Sequence, residues 1–172
     1  MKGALKVLFW ALILSLWLPA FGAAGSKTPP PVEQVGVREK CPVCGMFVAR
    51  YPHWITQLHL ATGKVQFFDG MKDLLAYHFN PESFGAGKGV EVTAIWAKDY
   101  YTLQWIDGRS AYYVVGSGIH GPMGHEFIPL DSEEKAQTFS RDHQGREILR
   151  FEEITPELVQ EMRGGHTMGR GH

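Results

Sequence analysis

The only two cysteines of the chain lie close together, in the segment CPVCGM at residues 41–46. In an extended segment successive side chains point to opposite sides, so Cys44 and Met46 would face the same way and could hold one ion. Gly45 between them lets the backbone bend sharply or come close to a ligand. A thiolate and a thioether are soft ligands, which suit Cu(I). The spacing therefore predicts a Cu(I) site, with Cys41 as a further candidate ligand.

A glycine-rich loop offers a second thioether, in the segment GPMGH at residues 121–125. One thiolate with two thioethers would give a neutral and exchangeable Cu(I) site, which is what a carrier requires. Met123 is the candidate third ligand, and the nearby His125 is a candidate outer ligand. The alternative for Met123 is an ordinary core position, because methionine readily fills gaps in apolar cores.

The N-terminus has the composition of an export signal. Lys2 and Lys6 precede an apolar run at residues 7–18, and small residues follow at 20–25. This order is typical of a cleaved secretory signal, which we assign to residues 1–24. The predicted location is therefore the periplasm, with an uncleaved, membrane-associated segment as the alternative. The formal charge of −1 and the lack of a basic stripe argue against nucleic acid as a partner.

The C-x-x-C spacing of Cys41 and Cys44 permits three other interpretations. A thioredoxin-like dithiol should open a helix after a strand, whereas Gly45 and the strand-forming Phe47 and Val48 follow here. A four-cysteine zinc site cannot be built by one chain with two cysteines. A structural disulfide stays open, because an exported protein meets oxidising conditions. A periplasmic thiol-disulfide redox protein acting through both cysteines is therefore the main alternative function.

The elements that must position these residues begin with a hairpin. Alternating apolar and polar residues at 55–60 and 64–68 predict its two strands around a Thr-Gly turn. Asp69 is the predicted N-cap of the helix that follows, whose apolar residues recur at helical spacing. A strand is predicted at 90–97. The first half of the folded chain therefore has the order ββαβ.

The second half repeats this order. Its predicted elements are a hairpin with strands at 103–106 and 111–115 around the Asp107-Gly108 turn, a strand at 126–130, a helix starting at a capping box at 131–134, and a closing strand at 147–151. We therefore predict an α+β fold of duplicated ββαβ units. The units form two small homologous domains packed together, at residues 35–97 and 98–154.

Segments of a different kind flank the two predicted units. A proline-rich linker at 25–34, disordered or polyproline in conformation, precedes them. A short helix follows them, with Thr155 as its cap and Pro156 at its first position. The remainder of residues 155–172 is predicted to be a mobile tail, which carries His166, Met168 and His172.

Several of these segments resemble the NosL family, the copper-binding accessory proteins of nitrous oxide reductase. The matching segments are residues 41–46, 63–69, 105–107 with 111–114, and 122–129. The resemblance covers roughly residues 37–154, with matching order and spacing. It implies a fold of two similar ββαβ domains, which agrees with the repeated order of elements.

The resemblance also implies a role and a set of ligands. The role is that of a non-enzymatic chaperone that delivers Cu(I) to maturing nitrous oxide reductase, with help from a membrane ABC-transporter complex. By position, the family's Cu(I) ligands fall on Cys44, Met46 and Met123. Relatives often keep only the second cysteine, so Cys41 is expected to be a fourth ligand, a redox partner or neither.

The mode of membrane attachment is expected to differ between this chain and many members of the family. Many relatives are lipoproteins, whereas this chain has no cysteine in its signal region to carry a lipid. Membrane contact is therefore expected only through the signal segment or through a partner.

Overall fold

A four-stranded antiparallel sheet organises the first half of the fold, in a computed structural model that describes residues 28–164. Its strands are β1 (Thr56–Leu60), β2 (Val65–Phe68), β3 (Val92–Lys98) and β4 (Trp105–Asp107), in the spatial order β2-β1-β3-β4. Helix α1 (Met71–Phe79) follows β2 and packs against β1 and β2. Leu58 and Leu60 of β1 share the core with Leu74 and Leu75 of α1. The sheet and α1 therefore bury one face each against the other.

The opposite face of β1 is covered by the N-terminal segment. Side chains alternate along a strand, so Gln57 lies on the other face from Leu58. The Gln57 amide donates to the carbonyl of Val32 at 2.7 Å and accepts from the Val32 N–H at 2.9 Å. The indole N–H of Trp96 donates to the carbonyl of Pro29 at 2.9 Å. The described part of the predicted linker is therefore bound to the sheet and not disordered, because its proline-rich backbone leaves carbonyls free for side-chain donors.

A three-stranded sheet organises the second half. In chain order, the remaining elements are β5 (Tyr112–Val115), β6 (His120–Gly121), β7 (Gly124–His125), β8 (Ile128–Leu130), α2 (Glu133–His143), β9 (Glu147–Arg150) and α3 (Pro156–Arg163). The sheet has the order β8-β5-β9, and β6 and β7 form a separate two-stranded ribbon. Helix α2 packs against this sheet through the buried Ala136 and Phe139, as predicted.

The α+β class predicted from the sequence is confirmed. Each of the two larger sheets places its first strand, β1 or β5, between two antiparallel neighbours. One continuous apolar core includes Leu58 and Ile95 of the first sheet and Tyr113 and Val115 of the second. The two sheets therefore share a core, while the duplication and the division into two domains stay predictions.

The predicted hairpin around Asp107 and Gly108 is wrong. β4 pairs with β3, with Trp96 opposite Asp107, and β5 belongs to the second sheet. The Gly108 N–H donates to the carbonyl of Ile95 at 2.8 Å, and the Tyr113 hydroxyl donates to the carbonyl of Gly108. These bonds hold the turn against the first sheet and direct the chain across to the second. The first sheet therefore continues beyond residue 97 and includes β4.

The two later helices start at or next to the predicted caps. The Ser132 hydroxyl accepts from the Lys135 N–H and caps α2, one residue after Asp131, the first residue of the predicted capping box. The Thr155 hydroxyl accepts from the Leu158 N–H and caps α3, with Pro156 at the start of the helix as predicted. Within residues 28–164, no helix combines the length and the apolar character needed to cross a membrane. The predicted signal at 1–24 and the tail residues His166, Met168 and His172 lie outside the described residues.

Candidate metal centre

The two cysteines lie on a tight turn. The Gly45 N–H donates to the carbonyl of Cys41 and the Cys41 N–H donates to the carbonyl of Met46, each at 2.9 Å. Gly45 has a φ of 78°, a left-handed conformation that glycine adopts without steric cost. The segment is therefore a turn and not the extended run from which we predicted that Cys44 and Met46 face the same way. Both cysteines are free thiols.

Two aspartates meet the two thiols. The Cys41 thiol donates to Oδ2 of Asp73 at 3.4 Å, and the Cys44 thiol donates to Oδ1 of Asp69 at 3.2 Å. One ligand atom from each of these four residues lies within 4.8 Å of every other. We call this set, Cys41, Cys44, Asp69 and Asp73, the thiol–carboxylate cluster. Its donors, two sulfurs and two carboxylates, can hold a metal ion.

The sequence analysis missed both aspartates. Asp69 and Asp73 are four positions apart across the start of α1, the spacing that places two side chains on one side of a helix. That spacing was visible in the sequence. We had assigned Asp69 as the N-cap, whereas the N-cap is Gly70 and has no side-chain cap bond. The carboxylate of Asp69 is bonded to Cys44 instead.

Burial controls the protonation of the cluster. Burial raises the pKa of the Cys41 thiol far above its usual value, and the charges of Asp73 and Asp69 raise it further. Burial, together with hydrogen bonds to Asp69 and Asp73, raises the pKa of Cys44 to about 12. Burial also raises the pKa of Asp73. Both thiols are therefore protonated in the absence of a cation, and an ion that binds must displace their protons.

The cluster also has an unsatisfied acceptor. Asp69 is 1 % exposed, and its Oδ2 is buried without a hydrogen-bond partner in the described part of the chain. A buried polar atom without a partner costs free energy unless a ligand or water satisfies it. The unsatisfied oxygen, next to two thiols, fits a bound cation.

Cys44 and Met123 line the same cleft. The cleft has a volume of about 500 Å³, and its lining residues are Val43, Cys44, Lys72, Asp73, Met123, Gln160, Arg163 and Gly164. Met123 is 46 % exposed, so the alternative of a core position is wrong for this residue. The structure therefore brings together two of the predicted ligands, on a wall that also contains Asp73 of the cluster. The contribution of α3 to this wall had no signal in the sequence.

Met46 is directed elsewhere. Its Sδ accepts from the hydroxyl of Tyr51 at 3.7 Å, and Met46 is not among the residues that line the cleft. The structure therefore places Met46 on the same turn as Cys44 without bringing its sulfur to Met123.

His125 lies on the ribbon that carries Met123, and it packs against another histidine. His125 of β7 is the cross-strand partner of His120 of β6, and their ring centroids are 4.7 Å apart. Burial, with the charges of His120 and Lys72, lowers the pKa of His125. The imidazole of His125 therefore remains neutral more readily than a free histidine, as a metal ligand requires. Its role as an outer ligand stays a prediction.

The fold and the site together define a class: an α+β protein with a candidate metal centre where a cysteine turn meets the first helix. The family model for NosL matches residues 31–159, and the chain belongs to this family. It is 33 % identical over 155 residues to the "Copper-binding lipoprotein NosL" of Stutzerimonas stutzeri, covering 84 % of this chain and 80 % of that protein.

Two solved structures are similar as well. The crystal structure of the copper chaperone NosL from Shewanella denitrificans is 26 % identical, with a TM-score of 0.61, and the match covers 74 % of this chain and 99 % of that chain. The solution NMR structure of apo-NosL from Achromobacter cycloclastes is 27 % identical, with a TM-score of 0.46, over 60 % of this chain and 87 % of that chain.

Proposed function

We propose that this protein is a copper chaperone that binds Cu(I) and delivers it to a maturing copper enzyme. The observation that carries the proposal is the location of Cys44, which belongs to the thiol–carboxylate cluster and also lines the cleft together with Met123. Thiolate and thioether sulfur are the protein ligands that suit Cu(I). Relatives named as a copper-binding lipoprotein and a copper chaperone support the same assignment.

Cys44, Met46 and Met123 are the ligands that we propose for Cu(I). Cys44 supplies the thiolate, and Met123 approaches from the facing ribbon. Met46 must turn away from Tyr51 to join them, which its three rotatable side-chain bonds allow. Cys41 is 1 % exposed and bonded to Asp73, so it stands behind Cys44 and not at the surface of the cleft.

The open side of the cleft suits transfer to another protein. Met123 is exposed and Cys44 is half-buried, so a ligand from a client enzyme can reach the ion before the chaperone releases it. A thiolate with two neutral thioethers leaves bound Cu(I) without net charge. When the ion leaves, Cys44 takes back the proton that the ion displaced, so no unpaired charge stays behind in the site.

The location and partners of the protein follow from the same proposal. The N-terminal signal at 1–24 and the lipoprotein relative support a location in the cell envelope. Nitrous oxide reductase is the proposed client, and a membrane ABC-transporter complex is the proposed assembly partner. The protein acts by carrying an ion and not by catalysis.

The first test is an anaerobic titration of the protein with Cu(I) against a competing chelator. We expect one tight equivalent in the wild type, loss of tight binding in Cys44→Ser, and a much smaller effect in Cys41→Ser. Equal loss in the two variants would replace the proposed ligand set with a pair of thiolates from Cys41 and Cys44. A wild-type protein that leaves all Cu(I) on the chelator would overturn the proposed function.

The thiol-disulfide alternative makes a different prediction for the same thiols. A redox-active cysteine needs a lowered pKa, because the thiolate is the attacking species. The pKa values of Cys41 and Cys44 are both raised. Protonated thiols are poor nucleophiles, whereas a metal ion displaces the proton of a thiol when it binds, which supports the metal carrier. Rapid reduction of a protein disulfide by the metal-free wild type would favour the alternative.

A further inference from the structure

Two buried side chains attach the ribbon that carries Met123 to the first turn of α1. The ammonium of Lys72 donates to the carbonyl of Met123 at 2.7 Å. The N–H of Lys72 donates to Oε1 of Glu126 at 2.5 Å, and the N–H of Phe127 donates to the same oxygen at 2.9 Å. Lys72 and Glu126 are each 3 % exposed. The backbone and the side chain of Lys72 are therefore both bound to the segment at residues 123–126.

We propose that Lys72 and Glu126 are positioning residues that set the distance between Met123 and Cys44, and thereby the affinity for Cu(I). The inference rests on the proposed function, in which both sulfurs bind the ion. Neither side chain touches the ion in this scheme. Their action on Cu(I) passes through the backbone of the Met123 ribbon.

The start of α1 is the common support for both halves of the site. Asp69 and Asp73 bind the two thiols, while Lys72, adjacent to Asp73, binds the carbonyl of Met123. A helix turn is rigid, so it fixes the separation of the groups attached to it. The cysteine turn and the Met123 ribbon, which are far apart in sequence, are therefore held by neighbouring residues at the start of α1, with Asp69 directly before its N-cap.

Glu126 provides the cap that α1 lacks locally. The first N–H groups of a helix have no partner within the helix and need an acceptor from elsewhere. Gly70 gives no side-chain cap, and the carboxylate of Glu126 accepts from the Lys72 N–H instead. A Cβ added at Gly70 would collide with that carboxylate, and one at Gly121 would approach it within 3.2 Å. Glycine at both positions therefore admits Glu126 between the helix and the ribbon.

The Lys72 side chain is bonded to the backbone of the ribbon and not to an acidic side chain. In residues 28–164, no carboxylate lies within ion-pair distance of the Lys72 ammonium, whose partner is a backbone carbonyl. A need to hold the Met123 backbone in one place explains why the chain uses lysine here.

The test is a double-mutant cycle with Lys72→Met and Met123→Ala in the full chain, read out by anaerobic Cu(I) competition. Methionine keeps the length of Lys72 and removes its donor. We expect Lys72→Met to lower Cu(I) affinity about tenfold in the wild-type background, the size of one lost hydrogen bond to a charged group. We expect it to change affinity less than twofold when Met123 is already alanine, since there is then no thioether to position.

A second pair of variants separates positioning from folding. Glu126→Gln keeps an acceptor for the Lys72 N–H and should retain affinity within about twofold, whereas Glu126→Ala removes the acceptor and should lower it about tenfold. Lys135→Met is the matched control, because it also replaces a bonded lysine by methionine. The bonds that it removes, to Asp131 and Asp99, are made by residues that do not line the cleft. It should leave Cu(I) affinity unchanged. Urea unfolding of each metal-free variant shows that the compared proteins are folded.

The outcomes distinguish this inference from the proposed function. Loss of affinity from Lys72→Met that is equally large in the Met123→Ala background would overturn the positioning role, and so would unchanged affinity in Lys72→Met and Glu126→Ala. Either result would leave the wild-type protein a Cu(I) carrier. A wild type that binds no Cu(I) would instead remove the proposed function itself.

Discussion

The thiol of Cys44 donates its hydrogen bond to the carboxylate of Asp69, at 3.2 Å. This bond joins the cysteine turn to the first turn of α1, 25 residues further along the chain. The carboxylate stabilises the protonated thiol, because a thiolate in the same place would face a negative charge. Asp69 therefore affects how readily Cys44 gives up its proton.

The first prediction concerns this pair. Asp69→Asn should lower the pKa of Cys44, because it removes the carboxylate while leaving the burial that is the main cause of the rise. The measurement is the pH dependence of thiol alkylation in metal-free protein, in a Cys41→Ser background so that one thiol reacts. Asp131→Asn, at the other strand-to-helix junction, is the control. An unchanged alkylation profile in Asp69→Asn would mean that burial alone sets the pKa.

The second prediction tests whether Met123 acts as a metal ligand or as a core residue. Met123→Ala should lower Cu(I) affinity while changing the free energy of unfolding by about 0.5 kcal/mol or less, since an exposed side chain adds little to the core. Met71→Ala is the matched control: Met71 is buried in the core, and its truncation should cost about 2–5 kcal/mol. Urea unfolding and Cu(I) competition are measured on both variants. Marked destabilisation in Met123→Ala with unchanged affinity would contradict the ligand assignment.

The third prediction is a pH dependence that originates at Glu126. Burial raises the pKa of Glu126 to about 8 in the folded protein, whereas its ordinary value is 4.5. Between these values the folded state binds a proton that the unfolded state has lost, so this group's contribution to stability falls as pH rises from about 4.5 to about 8. Glu126→Gln carries no titrating proton and should lose this component.

The measurement for this third prediction is urea unfolding of the two metal-free proteins across that pH range. His59 and His78, whose pKa values burial lowers, contribute with the opposite sign in both proteins. The difference between the proteins therefore isolates Glu126. Wild-type stability should decline relative to Glu126→Gln as pH rises, and parallel curves would show that Glu126 is ionised throughout.

The fourth prediction concerns the N-terminal segment. Gln57→Ala removes both hydrogen bonds to the backbone of Val32 and should lower the free energy of unfolding by about 1–3 kcal/mol. Cu(I) affinity should not change, because the segment and α1 cover opposite faces of the sheet. Gln137→Ala, which removes an exposed glutamine bonded to Glu133, is the control and should have little effect. A loss of Cu(I) affinity in Gln57→Ala would show that the two faces are coupled.

Local signals in the sequence predicted the features that depend on neighbours in the chain. The predicted cap Thr155 bonds to a residue three positions ahead, so a short motif contains all of the interacting groups. The cap of α2, Ser132, lies one residue after the predicted first position of its capping box. The α+β class followed from the spacing of apolar residues, which recur at every second position in the predicted strands and at helical spacing in the predicted helices. The cysteine turn was identified because two cysteines and a methionine lie within six residues of each other, and the Met123 loop because a methionine lies in a glycine-rich segment.

Features that depend on distant contacts were missed or misplaced. The residues of β4 favour a strand, but this preference does not determine which sheet the strand joins. Its pairing with β3 depends on bonds from Gly108 and Tyr113 that no local pattern shows. Asp69 at a helix start was assigned the commonest role for that position, a cap. Its bond to Cys44 and the cap supplied by Glu126 depend on tertiary contacts, which override local preference.

The attachment of Pro29 to Trp96 and of Val32 to Gln57 shortens any tether to a membrane. Pro29 lies only five positions after residue 24, where an uncleaved segment would end, and five residues span at most about 18 Å when fully extended. The protein would then be held close to the lipid surface, and the sheet face that binds the segment would be turned toward it. The opposite side of the sheet, against which α1 packs, would face away from the membrane.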